Sequence, residues 1–183
     1  CSFHATKIFH TGEGGAIFCS NKELYDKIFY SHNFGHNGPL EFFGLGINGK
    51  ISELQGAMGL TVFPYMDQII GDRKNSVTFY NENLDFNKLN KIKTREYTKW
   101  NYSYYPVVFE SEEILLMVQK ALNEASIFPR RYFYPSLNTV PFINGCSMPI
   151  SESIASRILC LPLFVGLENQ DLKNICSIIN RTL

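Results

Sequence analysis

Lys7 is the residue whose type and setting could do covalent chemistry. It follows a short apolar stretch, Cys1-Ser-Phe-His4, and precedes the glycine-rich Thr11-Gly-Glu-Gly-Gly15. A strand end running into such a turn can project a side chain into a crevice. A lysine partly removed from water there has a lowered pKa and can attack a carbonyl to form a Schiff base. By position alone, a solvated surface lysine is the commoner outcome. Ser2 lies five residues earlier, and serine hydroxyls with glycine amides form the usual cradle for a phosphate. Asn48 and Lys50, in Gly46-Ile-Asn-Gly-Lys50, stand where a helix begins, a place that favours anions; a helix cap by Asn48 or Ser52 is the commoner role there. Arg130 and Arg131 beside Tyr132, Phe133 and Tyr134 could grip phosphates and stack on sugars or bases, or could sit solvated on an exposed edge strand.

Other chemistries lack their residues. His32 and His36 have the spacing of a two-histidine metal site on a helix, but Gly35 and Asn37-Gly38 break that helix and no third ligand is at a fitting distance. Gly12-Glu-Gly-Gly15 lacks the Gly-Lys-Ser/Thr ending of a P-loop and is not a dinucleotide fingerprint. No Gly-x-Ser-x-Gly elbow occurs.

The elements that must hold these residues follow from pattern. Ala16–Cys19 reads as a buried strand, and Ser20-Asn-Lys-Glu23 as a capping box opening a helix from about Ser20 to Ser31. Asn33 to Lys50 carries five glycines and a proline, so a long irregular loop is expected, a length more often functional than idle. A helical region begins near Ile51, is interrupted at Pro64, and continues through Ile69, Ile70, Val77, Tyr80 and Leu84. Trp100–Phe109, Ile127–Tyr134 and Arg157–Leu163 read as strands by aromatic and β-branched content. Ser111 opens a helix with the stripe Ile114, Leu115, Val118, Ala121, Leu122 and Ala125. Leu172, Ile175, Cys176 and Ile179 mark a terminal amphipathic helix. The second half is therefore expected to be a small α+β lobe.

Composition bounds the rest. At 183 residues, the length suits one domain or one and a half, enough to bury roughly 70% of the surface of the unfolded chain. Seventeen Lys+Arg balance 17 Asp+Glu, which argues against nucleic-acid and polybasic membrane-surface partners. No apolar run approaches the ~20 residues of a membrane span, and no signal peptide is visible. The five cysteines are odd in number and form no Cys-x-x-Cys pair. They are expected to be reduced, mostly buried thiols of a cytosolic protein.

Taken together, Ser2-Phe-His-Ala-Thr-Lys7, Gly12-Glu-Gly-Gly-Ala16, Asn33-Phe-Gly35, and Gly46-Ile-Asn48 with Ser52-Glu53 resemble the DegT/StrS family of sugar-nucleotide aminotransferases. The likeness continues through Arg130-Arg-Tyr-Phe-Tyr-Pro135 and Arg157-Ile-Leu-Cys-Leu-Pro162 to the last helix, in the family's order. The variants Phe34-Gly-His-Asn-Gly38 and Tyr134-Pro-Ser-Leu-Asn138 look closest to transaminases that aminate C4 of dTDP-4-keto-6-deoxyglucose.

The resemblance implies an α/β, type I pyridoxal phosphate (PLP) transferase fold, like that of aspartate aminotransferase. Residues 1–50 would end the large PLP-binding domain, 51–85 would be connecting helices, and 86–183 the small α+β domain. Lys7 would hold PLP as a Schiff base and move the substrate proton. Ser2 would bind the cofactor phosphate, and Asn48 would reach the phosphate of the neighbouring subunit of a homodimer. His4, Lys50, Tyr132 and Tyr134 would contact substrate, Lys50 at its diphosphate. Glutamate would supply the amino group, in the cytoplasm, for deoxysugars of the kind found in O-antigen and lipopolysaccharide. Related sugar dehydratases carry histidine at the lysine position, so Lys7 favours a transaminase.

The family's first half holds the pyridine-nitrogen aspartate, a ring-stacking aromatic and a phosphate-binding Gly-Thr turn, and none of these is in the 183 residues. The chain is therefore expected to be a C-terminal half that alone neither transaminates nor holds PLP tightly. The alternative is a non-catalytic dimerisation module of the same fold.

Overall fold

The computed structural model describes residues 1–183, in two compact units, Cys1–Asp67 and Gln68–Leu183. No helix is long and apolar enough to cross a membrane.

In the first unit, Ser2 pairs with Gly15 in a single antiparallel bridge. Helix α1 (Lys22–Ser31) follows, and its cap is Asn21, whose Oδ1 accepts from the Leu24 amide at 3.0 Å. The expected Ser20–Glu23 box therefore does not form: with Asn21 at the cap, Ser20 lies one residue outside the helix. The expected buried strand Ala16–Cys19 does not form: only Ala16 pairs, with Cys1, and Ile17 and Phe18 are 69% and 79% exposed. Beyond Ala16 this segment makes no further strand pairing. The 33–50 stretch is irregular, as expected. Helix α2 (Glu53–Val62) opens on a full capping box, Ser52 Oγ accepting from the Gln55 amide at 3.3 Å and Gln55 Oε1 from the Ser52 amide at 2.8 Å. Asn48, four residues earlier, caps nothing. Pro64 has no amide hydrogen to continue the ladder, and the chain passes through a 3₁₀ turn, Phe63–Tyr65, into α3 (Met66–Asn83).

The second unit is built on a three-stranded antiparallel sheet in the order β1 (Asn90–Lys91), β2 (Tyr105–Val108), β3 (Ile158–Leu161). Tyr105 faces Leu161 and Val108 faces Ile158. Helix α4 (Glu112–Glu124) is capped by Ser111 and buries Leu115, Val118 and Leu122. It packs against α6 (Asn169–Thr182), which buries Leu172, Ile175, Cys176, Ile178 and Ile179. These stripes are the ones the sequence periodicity marks. Between them lies α5 (Pro149–Arg157), which no apolar stripe announces because it buries only Ala155.

Two expected strands shrink. Trp100–Phe109 contracts to Tyr105–Val108, because Asn101 Oδ1 takes the Ser103 amide at 3.1 Å and Tyr102 turns into the left-handed region. Ile127–Tyr134 keeps only the Arg130–Cys160 bridge. Pro129 and Pro135 cannot donate to a ladder, and the Tyr132 amide turns back to the Arg130 carbonyl at 3.0 Å. In Arg157–Leu163 the strand runs from Ile158 to Leu161, where Pro162 stops it.

Helix α3 is tied in by polar groups on its buried side. Tyr80, fully buried, donates its hydroxyl to the Pro162 carbonyl at 2.8 Å and stacks on Tyr105, centroids 4.9 Å apart. At the helix end, Asn180 donates to the Asn83 carbonyl at 2.8 Å and accepts from the Asp85 amide at 3.1 Å. It thereby satisfies a carbonyl that the helix leaves orphaned.

All five cysteines are free, but only Cys160 and Cys176 are buried; Cys1 and Cys146 are exposed, and Cys19 is in between. The expectation of mostly buried thiols is thus wrong for three of them, which fall in segments without a core around them. Burial pushes the Cys160 and Cys176 thiols up to about 11. Because the folded state keeps these protons longer than the unfolded chain does, stability is full below the ordinary thiol range, about 8.5, and falls as pH climbs towards 11. Urea midpoints should be flat between pH 7 and about 8 and lower by pH 10, and Cys176→Ala should flatten that fall. Under native conditions a thiol reagent should label Cys1 and Cys146 quickly and Cys160 and Cys176 only on unfolding. Fast native labelling of Cys176 would contradict the packing of α6.

Candidate active site

The segment carrying Lys7 is held by its main chain. The Phe3 amide donates to the Gly14 carbonyl at 2.9 Å and the Ala16 amide to the Cys1 carbonyl at 3.0 Å. The Thr11 amide donates to the Phe3 carbonyl at 2.9 Å and closes the loop between them. Thr11 is 4% exposed, and its hydroxyl donates to the Glu13 carbonyl at 2.6 Å. Glycine is required at two of these positions. Gly14 has φ 150°, and a Cβ there would strike the Thr11 hydroxyl; one at Gly15 would lie 2.8 Å from the Cys1 carbonyl oxygen. Lys7 sits on the loop so closed, in a turn where its amide donates to the His4 carbonyl at 2.9 Å. Its side chain is exposed, and no hydrogen bond or ion pair engages its amine.

Ser2 and His4 share this segment. Ser2 Oγ accepts from the His4 amide at 3.3 Å and leaves its own hydrogen uncommitted. His4 Nδ1 meets Thr6 Oγ1 at 2.9 Å, and Nε2 lies 3.6 Å from Glu13 Oε1. By chemistry, a free primary amine at Lys7 and a free hydroxyl donor at Ser2, five residues apart, suit the carbonyl and phosphate ends of PLP.

Asn48 and Lys50 lie on the second loop, in the same unit. Asn33 bridges Asn48, and the Phe34 amide donates to the Ile47 carbonyl at 3.0 Å. Gly35, at φ 77°, and Gly46 stand back to back, and a Cβ on Gly46 would run into the backbone of Phe34 and Gly35. The two sequence motifs Asn33-Phe-Gly35 and Gly46-Ile-Asn48 are thus the two sides of one close pairing. Lys50 Nζ donates to Asn48 Oδ1 at 2.6 Å and sits 4.1 Å from the centre of the Phe34 ring. Asn48 keeps its amide hydrogens free.

Tyr132 and Tyr134 belong to the second unit. Tyr132 accepts a hydrogen bond from Arg130 and meets Tyr104 edge-on at 5.6 Å. Arg131 is neither a solvated edge residue nor a free phosphate ligand. Its guanidinium donates to Glu112 at 2.6 Å and to the Ser156 carbonyl at 2.7 Å, and it lies 3.7 Å over the Tyr134 ring. The role of Thr11 went unread in the sequence. The only cue was a β-branched residue directly before the glycines.

A lysine on a glycine-closed loop in the first unit and a helix-packed, three-stranded antiparallel sheet in the second accord with half of a type I PLP-dependent transferase fold, as the solved relatives below have it. The sequence pattern of the DegT/DnrJ/EryC1/StrS aminotransferases matches residues 1–180, and the chain belongs to that family. It is 37% identical over 97% of its length to a dTDP-4-amino-4,6-dideoxy-D-glucose transaminase of Shigella dysenteriae, covering 50% of that protein. Among solved structures it resembles DesI, determined in the presence of its TDP-sugar product, with TM-score 0.86 and 27% identity over 98% of this chain and 48% of DesI. A PLP-dependent aminotransferase from Bacillus cereus superposes with TM-score 0.85 and 28% identity, over 97% of this chain and 50% of the other. The chain thus spans about half the length of the relatives it matches, and PLP is the cofactor the family implies.

Gly46→Ala should open the loop pairing. Exchange of the Phe34 and Ile47 amides should accelerate by on the order of tenfold or more, with those of Val107 and Leu159 unchanged. Unchanged Phe34 exchange would show that the close approach is dispensable. Thr11→Val, which keeps the shape and removes the hydroxyl, should cost about 1 kcal/mol of local stability, read as faster exchange at the Thr11 amide.

Proposed function

We propose that this chain carries the lysine-bearing half of a PLP-dependent aminotransferase acting on a nucleotide-linked 4-keto-6-deoxy sugar, dTDP-4-keto-6-deoxyglucose in the first instance, with glutamate as amino donor. The observation that carries the proposal is the unengaged Lys7 amine on a loop closed by Thr11, five residues after Ser2, in a chain whose family match spans residues 1–180. In this reading residues 1–50 complete the PLP-binding domain, 51–85 connect, and 86–183 form the small domain. The setting is deoxysugar synthesis in the cytoplasm, as for O-antigen and lipopolysaccharide, by a homodimer.

PLP, when bound, supplies an electron sink for the carbon at which the amino group is exchanged. The chain's own groups do the rest. Lys7 would hold the cofactor through Nζ and would carry the proton exchanged at the reacting carbon. Ser2 donates its free hydrogen to a phosphate oxygen. Asn48, with Oδ1 already occupied by Lys50, can offer Nδ2 to the phosphate in a partner subunit, and Lys50 brings a positive charge to the substrate diphosphate. His4 is oriented through Thr6, and Tyr132 and Tyr134 supply rings and hydroxyls for the sugar. A sugar dehydratase is the weaker reading, since Lys7 stands where those relatives have histidine.

With excess PLP, borohydride should fix a pyridoxyl group preferentially on Lys7, located by peptide mapping and lost in Lys7→Ala. Labelling spread evenly over the surface lysines would leave the dimerisation-module reading standing instead. The 183-residue chain alone should show neither robust keto-sugar amination nor tight PLP retention, as activity assay and dialysis would reveal.

A further inference from the structure

The second unit holds a cleft of about 480 Å³ that none of the residues named above as a site lines. Its volume lies within the range of small-molecule pockets, roughly 300–1,000 Å³. One wall is a face of α3, where Lys74, Val77, Thr78 and Asn81 recur at helical spacing; the other is the 91–106 stretch leading through β1 into β2. Three half-buried aromatic rings, Trp100, Tyr102 and Tyr104, line it together with Lys74 and Lys91, with Tyr105 buried behind them. No acidic side chain is among the lining residues, and neither lysine is in an ion pair.

The aromatic wall is built, not incidental. Arg73 donates from Nη1 to the carbonyls of Tyr102 and Ser103 at 3.1 and 3.2 Å, and its buried Nε has no partner. That guanidinium has no carboxylate beside it and adds positive charge behind the wall. Tyr102 is held at φ 55°, a conformation costly for a non-glycine residue and concentrated at functional positions. Asn81 Oδ1 accepts from the Tyr105 hydroxyl at 2.9 Å, which leaves the Asn81 amide hydrogens to donate into the cleft. The adjoining stretch 88–99 adds Lys88, Lys93, Arg95 and Lys99 against a single acid, Glu96.

Flat rings stack on flat rings, and uncompensated lysines take phosphate oxygens. We propose that this cleft binds a nucleoside phosphate, its base against the Trp100–Tyr104 wall and its phosphates at Lys74 and Lys91. Tyr104 touches Tyr132, so a ligand here sits one ring away from the Arg130–Tyr134 segment. The cleft stands on residues 73–106 alone and does not depend on Lys7 or on the aminotransferase reading.

Trp100 is the one tryptophan of the chain, so its emission reports directly on the cleft. Titration of the 183-residue chain with dTDP, ADP and pyrophosphate should give saturable quenching by the two nucleotides. Pyrophosphate should bind on the order of tenfold or more weakly, measured by its competition with the nucleotide. The double variant Lys74→Ala/Lys91→Ala changes two side chains outside the core, and a matching circular dichroism spectrum will confirm its fold. It should lose at least about tenfold in nucleotide affinity, with Lys7→Ala unchanged. Absence of saturable quenching, equal affinity for pyrophosphate, or indifference to the double lysine variant would each overturn the proposal. A preference for dTDP over ADP, or the reverse, would name the base the wall prefers.

Discussion

Two stretches of backbone can approach closer than a Cβ allows only where one of them is glycine, and the first unit depends on that constraint. Gly14 and Gly15 let the chain fold back on Cys1–Phe3, which closes the loop bearing Lys7. Gly35 and Gly46 do the same for the loop bearing Asn48 and Lys50. Gly59 lets α2 come up against Thr11, its Cβ position 3.0 Å from the threonine methyl. The groups that could do chemistry are thereby placed by main-chain bonds, whose geometry is stiff. A long side-chain stem packed in a core would place them less tightly.

The two units are held by different means. No large apolar side chain of the first unit is buried, and Leu40 and Leu45 are 88% and 97% exposed. Its shape comes from hydrogen-bonded turns and glycine contacts. The second unit has a continuous core from Val77 to Ile179, with Tyr80 linking helix, sheet and the β3 exit through one hydroxyl. A single chain thus joins a unit organised by its backbone to one organised by apolar burial, and α3 carries the sequence from one to the other.

This difference explains what the sequence made legible. In the second unit, periodicity reports burial, so the stripes of α4 and α6 stood out in the pattern and the start of α4 followed from Ser111. Helix α5, with one buried residue, had no stripe to read, and β1 is two exposed residues long. The aromatic run Trp100–Tyr105 looked like strand because Tyr and Trp favour strands. Most of it instead turns locally, through Asn101 and Tyr102. In the first unit the motifs themselves were legible, but not their pairing. Nothing in Asn33-Phe-Gly35 alone says that it lies against Gly46-Ile-Asn48, because the contact is defined by absent side chains. The cap read at Ser20 was displaced by one residue because Asn21 beside it is an equally good cap.

Charge shows the same limit from another side. Seventeen cations against 17 anions argued against partners that bind through a broad basic face. That sum is blind to placement. Several acids are spent locally, Asp26 on Lys22, Glu23 on Lys27 and Glu112 on Arg131, whereas Lys7, Lys50, Lys74 and Lys91 have no carboxylate partner. Lys50 and Lys91 lie instead over the rings of Phe34 and Phe86. An ammonium held near an aromatic face remains exchangeable, since a phosphate offers it a stronger contact than the ring does. A neutral protein can in this way keep a few cations in reserve for anionic ligands, and here those cations fall on the two loops and the one cleft where the chain's aromatic and polar groups converge.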